Sequence, residues 1–201
     1  MIVQDRLRPA DIWYVVGYIV TDGNLSKDGR YINITSKDRQ HLFEIQKRLG
    51  ISNKIGWKAR GGSTEKIYSQ IQFSDVRFYR YLLGLGIHPR KSLTLKEILI
   101  DKAYFSDFLR GIIDGDGNIH TWIHPSNGHR QWALRIVSAA PLFIYWLKQE
   151  IENYFGVRGR LYSYKHSGKK NFISILKFGK LATKVILQHI YYSDAFALKR
   201  K

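Results

Sequence analysis

The sequence predicts an α+β protein built from two tandem repeats, each with the order helix, two strands, helix, two strands, helix. Two observations predict it. A helix-like segment that ends in Asp-Gly-Asn occurs twice, with Asp22 and Asp116 lying 94 residues apart, and the same succession of apolar patterns follows each copy. Because neither repeat can bury its first apolar helix alone, we expect the two to pair about a pseudo-twofold axis.

The first helix of each repeat carries the repeated segment. It reads WYVVGYIVTDGNL at residues 13–25 and FLRGIIDGDGNI at residues 108–119. Aligning Gly17 with Gly111 also aligns the two Asp-Gly-Asn endings. Agreement at several positions in register indicates an internal repeat rather than two unrelated α+β domains.

The elements after each copy also correspond. An alternating run at residues 30–36 or 131–138 predicts a half-buried strand, and an apolar helical pattern follows it. That second helix ends at Gly50 in the first repeat, and in the second it begins near Pro141 and ends at Gly156.

The rest of each repeat is a hairpin and a final helix. Two strand-like runs are joined by a Gly/Ser-rich turn, and an apolar helix followed by a lysine comes after them. A connector near residues 94–103 separates the repeats, so the predicted half-domains are residues 1–96 and 97–201.

Charge is the strongest signal in the composition. Among 201 residues, 33 Lys and Arg oppose 16 Asp and Glu, and the net charge is +17. The basic residues are spread along the chain with 13 Tyr, 10 Phe and 5 Trp, which indicates a nucleic-acid partner. A ribosome-like or merely basic soluble protein is the alternative. Absence of cysteine excludes disulfides and thiolate metal sites, and no apolar run predicts a membrane span or a signal peptide.

Two carboxylates alternate with glycine at the end of the second motif. Asp114 and Asp116 would lie at a helix C-terminus, where the helix dipole is unfavourable to negative charge. The glycines would allow a positive φ there. Asp116 aligns with Asp22, whereas Asp114 aligns with Val20, so we expect Asp114 to be a turn or capping residue. Asp22 and Asp116, the acids that occur in both repeats, therefore require a nearby positive charge.

The segments VVGYIVTDG (15–23) and LRGIIDGDG (109–117) resemble the two signature motifs of the LAGLIDADG homing endonucleases in their single-chain form. The resemblance covers the motifs, the order of elements, the size and the basic charge. It implies a monomer whose motif helices pack at the centre, with close approach at Gly17 and Gly111, and whose antiparallel sheets form a DNA-binding saddle. Arg110, which departs from the motif, is expected to face away from the helix pair.

The resemblance also implies an activity. It is metal-dependent hydrolysis of both strands of double-stranded DNA at a long asymmetric site. Asp22 and Asp116 would bind Mg²⁺ with help from the backbone carbonyls of Thr21 and Gly115. Mn²⁺ would substitute, and Ca²⁺ would support binding without efficient cleavage. Such a bound cation is the positive partner that the two acids require.

Basic and polar residues complete the implied site. Lys91 and Lys199 stand after the last helix of their repeats, where the family has a basic residue near each scissile phosphate. The alternative is a surface lysine at a helix end. Asn33 and Arg135 match the family's polar position on the first long strand, and Asn33 is also a candidate catalytic residue.

Strand alternation predicts the surface that contacts DNA. If the isoleucines of each strand point into the core, the residues between them point outward as a mixture of cations, amides and aromatics. In the run NFISILKF both faces are apolar, so the register that exposes Lys177 is ambiguous. The predicted DNA-binding side chains are Tyr31, Asn33, Thr35, Lys54, Lys58, Arg60, Lys66, Tyr68, Gln70, Gln72, Arg135, Arg158, Arg160, Tyr162, Tyr164 and Lys177.

Two other metal sites are weighed against this interpretation. An EF-hand reading of DGDGNI fails because Ile119 stands at its sixth position and Pro125 at its twelfth. His120, His124 and His129 suggest zinc, but they lie in a predicted hairpin with a polar tip, so a solvated or DNA-facing loop is favoured.

Two other functions remain for the same scaffold. One is an RNA maturase that assists intron splicing, with intron RNA as a partner. The other is a DNA-binding regulator that does not cut. The presence of both aspartates and both lysines disfavours the regulator and leaves the maturase open.

Overall fold

The computed structural model describes residues 8–60, 63–165 and 172–199, and the side chains of residues 60 and 63–67 are outside that description. The elements of the first half are α1 (Pro9–Asp22), β1 (Gly23–Leu25), β2 (Tyr31–Ser36), α2 (Arg39–Leu49), β3 (Ile55–Arg60), β4 (Ser63–Ser74) and α3 (Val76–Gly84). A 3₁₀ turn (Lys102–Tyr104) leads into the second half. Its elements are α4 (Phe105–Asp116), β5 (Gly117–Ile123), β6 (Arg130–Ser138), α5 (Pro141–Phe155), β7 (Gly159–Lys165), β8 (Phe172–Phe178) and α6 (Lys180–Ile190).

Each half contains one four-stranded antiparallel sheet. The strand orders, β1-β2-β4-β3 and β5-β6-β8-β7, are the same. The αββαββα order therefore occurs twice, and the predicted α+β fold class is confirmed. Buried apolar side chains of both halves form one continuous core among the described residues. In the same part of the chain, no helix has the length and apolar character needed to cross a membrane.

The predicted boundaries of the second helix in each half are confirmed. Gly50 and Gly156 end α2 and α5 with φ of 61° and 64°, the left-handed conformation that glycine adopts without strain. Pro141 occupies the first turn of α5, where its missing N–H costs nothing. These local signals are independent of the tertiary structure.

The motif helices α1 and α4 cross at two glycines. A Cβ on Gly17 would lie 2.0 Å from the carbonyl oxygen of Phe108, and one on Gly111 would lie 2.1 Å from that of Tyr14. Cβ atoms in proteins essentially never approach other heavy atoms to less than 3.0 Å. The two backbones therefore touch directly, as the resemblance implied for these positions.

Glycine at the end of each motif helix has a different role from the one expected. Gly23 and Gly117 have φ of −98° and −73°, so neither is left-handed. Each helix runs directly into a strand, and a Cβ at these positions would lie 2.6 Å from the carbonyl oxygen of Ile19 or Ile113. Because glycine has no Cβ, the strand can begin in direct contact with the last helical turn. The expectation of a positive φ at these glycines is wrong.

Arg110 turns away from the helix crossing toward the chain after α6. Its Nε donates to the carbonyl oxygen of Phe196 and its Nη1 to that of Ile190, both at 2.8 Å. Nη2 pairs with Asp107 at 2.6 Å. Because the guanidinium is almost completely buried, its hydrogen bonds are what make its burial tolerable.

Asp114 lies in the interior, and its expected role as a turn or capping residue is wrong. The carboxylate is fully buried. It accepts hydrogen bonds from the hydroxyls of Tyr14 (2.8 Å) and Tyr191 (2.6 Å) and from the backbone N–H of Leu198 (2.7 Å). Burial, reinforced by the nearby Asp114 charge, raises the pKa of both tyrosines, so they remain donors.

Residues 191–199, here called the C-terminal segment, also contact the first half. The ring of Phe196 lies 4.7 Å from that of Tyr14 and stacks on His41 at 5.2 Å. The guanidinium of Arg48 lies 4.0 Å above the same ring. The segment thus binds the second motif helix through polar groups and α2 through Phe196.

We expect Gly17→Ala to lower the free energy of unfolding by about 3 kcal/mol, because the new methyl group would collide with backbone that belongs to a packed helix. Urea unfolding measures it. The matched control is Gly84→Ala, because no heavy atom lies within 4 Å of a Cβ at Gly84. The control should be neutral or stabilising. Equal stability of the two variants would contradict the close helix crossing.

We expect Asp114→Ala to destabilise the protein by about 3 kcal/mol or more, because it removes the acceptor of two buried donors and one partly buried donor. Thermal and urea unfolding measure the loss. Asp194→Ala, at an exposed position of the C-terminal segment, is the control and should change stability by less than about 0.5 kcal/mol. A small effect at Asp114 would show that the segment is not held by this carboxylate.

Candidate active site and nucleic-acid interface

The two motif aspartates lie where α1 and α4 end. Oδ2 of Asp22 is 3.3 Å from the position that a Cβ on Gly115 would take, so this half-buried carboxylate reaches the opposite helix. Asp116 is exposed and lines a cavity of about 340 Å³ with Thr21 and Gly23. Each acid therefore borders the end of the other half's motif helix. The sequence-predicted quartet of Asp22, Asp116, Thr21 and Gly115 meets at one junction.

Lys91 lies beside this junction and is buried. Its Nζ donates to the carbonyl oxygen of Gly23. The preceding residue, Arg90, has φ of 59°, which is uncommon for a residue other than glycine. Burial lowers the pKa of Lys91 from 10.5 to about 8, while the charges of Asp116 and Asp22 oppose that shift. The ammonium group is thus within electrostatic reach of both carboxylates.

Lys199 has different surroundings. It is exposed and lines a cavity of about 600 Å³ between α2 and the C-terminal segment, together with Gln40 and Glu44. The chain after α6 packs across the first half, whereas the chain after α3 leads into the turn at Lys91. Lys199 and Lys91, which stand at matching positions of the two repeats, therefore have different surroundings. The catalytic role of Lys199 stays a prediction.

The chemistry at the junction suits a hard divalent cation. The candidate metal-binding groups are the carboxylates of Asp22 and Asp116 and the backbone carbonyls of Thr21 and Gly115, and all of their ligand atoms are oxygens. Within residues 8–60, 63–165 and 172–199, no cluster of three His, Cys, Asp or Glu side chains could hold a metal. Mg²⁺ binds through one or two carboxylates and keeps positions for water and phosphate, so the donor set fits it.

The outer face of the first sheet is rich in amides. Asn33 pairs with Gln72 across β2 and β4, and its Nδ2 donates to Oε1 of Gln72 at 3.3 Å. The hydroxyl of Thr35 donates to Oδ1 of Asn33 at 3.4 Å and lies opposite Gln70. Ile32 and its neighbours on the other face are buried. The predicted outward face of β2 is therefore confirmed.

Other predicted residues extend this face. Tyr31 is 39% exposed at the start of β2. Lys58 and Tyr68 are paired across β3 and β4, and Lys58 shares a small cavity with Asp22. Lys54 is exposed just before β3 begins. The side chains of two further predicted residues, Arg60 and Lys66, lie outside the described residues.

The outer face of the second sheet is cationic. Arg135, Lys177 and Arg160 form one row across β6, β8 and β7. The register of β8 is decided by its buried residues, because Leu176 and Phe178 face the core and Lys177 must therefore face outward. Sequence alternation alone left this ambiguous.

The aromatic residues of β7 share that face. Tyr162 and Tyr164 are 47% and 43% exposed. Arg158 precedes the strand, and its Nη1 lies 3.4 Å from Oε2 of Glu152 in α5. Its guanidinium therefore leans toward the helical layer, and its predicted contact with DNA stays a prediction.

The first strand of each sheet contributes residues that the predicted set omitted. Asn24 pairs with Asn33, and Asn118 pairs with Arg135, at corresponding positions of the two sheets. The repeated Asp-Gly-Asn ending was the signal that could have identified both asparagines. Alternation in GNIHTWI was a second signal, since Trp122 lies on the same face as Asn118.

His120 and His124 of the β5–β6 hairpin make different side-chain contacts. His120 stacks on Trp122 at 5.4 Å, and the Nζ of Lys177 lies 5.3 Å from the centre of the same Trp122 ring. His124 instead exchanges a hydrogen bond with Ser126 in the turn. The zinc alternative therefore has no support in the described residues.

Comparison of the fold with solved structures gives consistent neighbours. I-WcaI, described as a homing endonuclease bound to its DNA recognition sequence, superposes with a TM-score of 0.64 at 11% identity, covering 96% of this chain and 84% of that one. Variants of the homing endonuclease I-DmoI give 0.57 at 17%, covering 92% and 93%. This is the LAGLIDADG fold. Full-length DUF199/WhiA from Thermatoga maritima gives 0.61 at 17%, covering 92% and 56%.

The LAGLIDADG likeness rests on structure. No family model and no curated protein matches this sequence. The chain spans only 56% of the WhiA chain, whereas it spans most of both endonucleases. At 11–17% identity, this likeness extends to the LAGLIDADG fold alone.

We expect the stability of the metal-free protein to depend on Lys91 above pH 8. Between a pKa of about 8 in the folded state and 10.5 in the unfolded state, the unfolded chain binds the extra proton, so the free energy of unfolding rises with pH. The free-energy cost of burying the charged Lys91 ammonium is fully present below pH 8 and absent above pH 10.5. It amounts to at most about 3 kcal/mol.

Urea unfolding of wild type and Lys91→Met across pH 7–11, with a chelator present, measures this contribution. The variant should lack the extra rise that wild type shows between pH 8 and 10.5. Lys96→Met, at an exposed lysine of the same loop, should keep it. Parallel stability profiles for wild type and Lys91→Met would contradict the burial of a titrating lysine.

Proposed function

We propose that the protein is a site-specific homing endonuclease that cuts both strands of DNA. The observation that carries the proposal is the convergence of Asp22 and Asp116 at the helix junction, between the outer faces of two sheets that present amides and cations. Each carboxylate borders an outer face, because Asp22 shares a cavity with Lys58 and Asp116 shares one with Val137. A duplex that follows both sheets would pass over the two acids.

Double-stranded DNA is the partner that this surface suits. The net charge of +17 favours contact with phosphates, and the amides and cations of the sheet faces can read base edges in a major groove. I-WcaI has been solved on its DNA recognition sequence and I-DmoI on its target DNA, which supports the same use of this scaffold. Because one chain contains both unlike halves, we expect a monomer that recognises an asymmetric site.

Divalent metal is part of the proposed chemistry. Asp22 and Asp116 would hold Mg²⁺ or Mn²⁺ with the carbonyls of Thr21 and Gly115. When bound, the metal supplies an activated water and stabilises the leaving 3′ oxygen. The close helix contact brings two carboxylates together so that each half serves one strand. I-DmoI, which has the same fold, has been solved in complex with DNA and Ca and in complex with DNA and Mn, and this supports a divalent metal as the cofactor.

Lys91 provides positive charge beside the carboxylates. Its Nζ is held by the carbonyl of Gly23, next to Asp22, so it is positioned by the same turn as the motif acid. In its protonated form it would offset negative charge on the scissile phosphate. Asn33 and Lys199 remain candidates for supporting roles.

We expect Asp22→Asn and Asp116→Asn to bind a selected duplex target with nearly the affinity of wild type but to cut it about 10²–10³-fold more slowly, because each loses a metal-binding charge. Single-turnover cleavage with Mg²⁺ measures the rate, and gel-shift titration with Ca²⁺ measures affinity. Asp101→Asn, which preserves the cap of the 3₁₀ turn that leads into α4 at the end opposite Asp116, is the control.

The outcomes separate the proposed activity from its two alternatives. A wild-type protein that binds its target tightly but does not cut with Mg²⁺ or Mn²⁺ would be a DNA-binding regulator. Faster splicing of an intron RNA without duplex cleavage would make it a maturase. Normal cleavage by both aspartate variants would refute the metal assignment while leaving DNA binding intact.

A further inference from the structure

We infer that the two halves read different bases at equivalent positions of their half-sites, with adenine read by the first sheet and guanine by the second. The inference rests on the proposed function, since it concerns the same DNA interface. It goes beyond the expectation of an asymmetric site by assigning a base type and named side chains to each half.

The two sheets can be compared row by row because their registers match. Gly23 pairs with Ile34, and Gly117 pairs with Ile136, at the start of the first strand after each motif helix. One residue farther along, each sheet has an asparagine on its outer face. The rows that begin at these asparagines are Asn24–Asn33–Gln72 in the first sheet and Asn118–Arg135–Lys177–Arg160 in the second.

The row in the first sheet consists of amides. The hydrogen bond from Asn33 to Gln72 and the one from Thr35 to Asn33 hold the amide planes in one orientation. A side-chain amide presents a donor and an acceptor together, which matches the N6 and N7 edge of adenine in the major groove. Gln70, opposite Thr35, adds another amide in the adjacent row.

The corresponding row in the second sheet consists mainly of cations. Arg135 pairs with Lys177, and Lys177 pairs with Arg160, so three positive groups lie side by side. Cationic donors match the O6 and N7 acceptors of guanine and reject adenine, whose N6 is a donor. Among the described residues, the cross-strand neighbours within this row include no acid.

The adjacent row, nearer the aspartates, also has different side chains in the two sheets. In the first sheet it contains Thr35 and Gln70. In the second it contains Val137, Ile175 and Tyr162, which are paired across β6, β8 and β7 and form an apolar strip. An apolar strip suits the methyl group of thymine and offers few donors to other bases.

A selection from a random duplex library tests the inference with the full chain. Bound DNA is recovered in Ca²⁺ and sequenced for wild type, Arg135→Asn and Asn33→Arg, and Arg80→Asn on the exposed surface of α3 is the control. Wild type should prefer guanine at one position and adenine at the position symmetric about the site centre. Arg135→Asn should lower the guanine preference about 5- to 150-fold at that position alone, the range for one bidentate contact.

The reciprocal variant makes the result decisive. Asn33→Arg should replace adenine by guanine at the symmetric position, while Arg80→Asn leaves the selected site unchanged. If both swaps leave their positions unchanged, or shift them in the opposite direction, the base assignment is wrong although site-specific binding stands. If wild type enriches no sequence, the proposed function fails and the inference falls with it.

Discussion

The contact between Gly17 and Gly111 is the constraint on which the rest of the structure depends. Two helices can touch backbone to backbone only where neither has a side chain, and each glycine lies against a carbonyl of the other helix. That contact sets the separation of the helix ends, and so of Asp22 and Asp116. A larger residue at the crossing would move both the acids and the sheets attached to them.

The two halves share a topology but differ in how they are held. Asp114 and Arg110 of the second motif helix bind the C-terminal segment through hydroxyls, a backbone N–H and carbonyls. Phe196 of that segment packs on Tyr14 and His41 of the first half. The segment therefore joins the two halves through Asp114 and Arg110 on one side and Phe196 on the other. This explains why the position of Lys199 does not reproduce that of Lys91.

Much of the fold was predictable because its signals are local. Gly50, Gly156 and Pro141 mark helix ends through backbone conformation alone, and the alternation in β2 decided its buried face. The roles of Asp114 and of the motif-ending glycines were not predictable in this way. The partners of Asp114 lie 77 to 100 residues away in sequence. No periodicity reports such contacts.

The sequence by itself determined the repeat, the order of elements, the basic surface and the pair of motif aspartates, because these follow from spacing, alternation and charge. Tertiary structure decided which acids meet. It left Asp116 exposed at the junction and buried Asp114 among tyrosines, although both belong to the same helix end. It also decided that Lys177 faces outward, since only packing against the core distinguishes two apolar faces of a strand. The physical reason is that burial depends on what other segments bring to a residue.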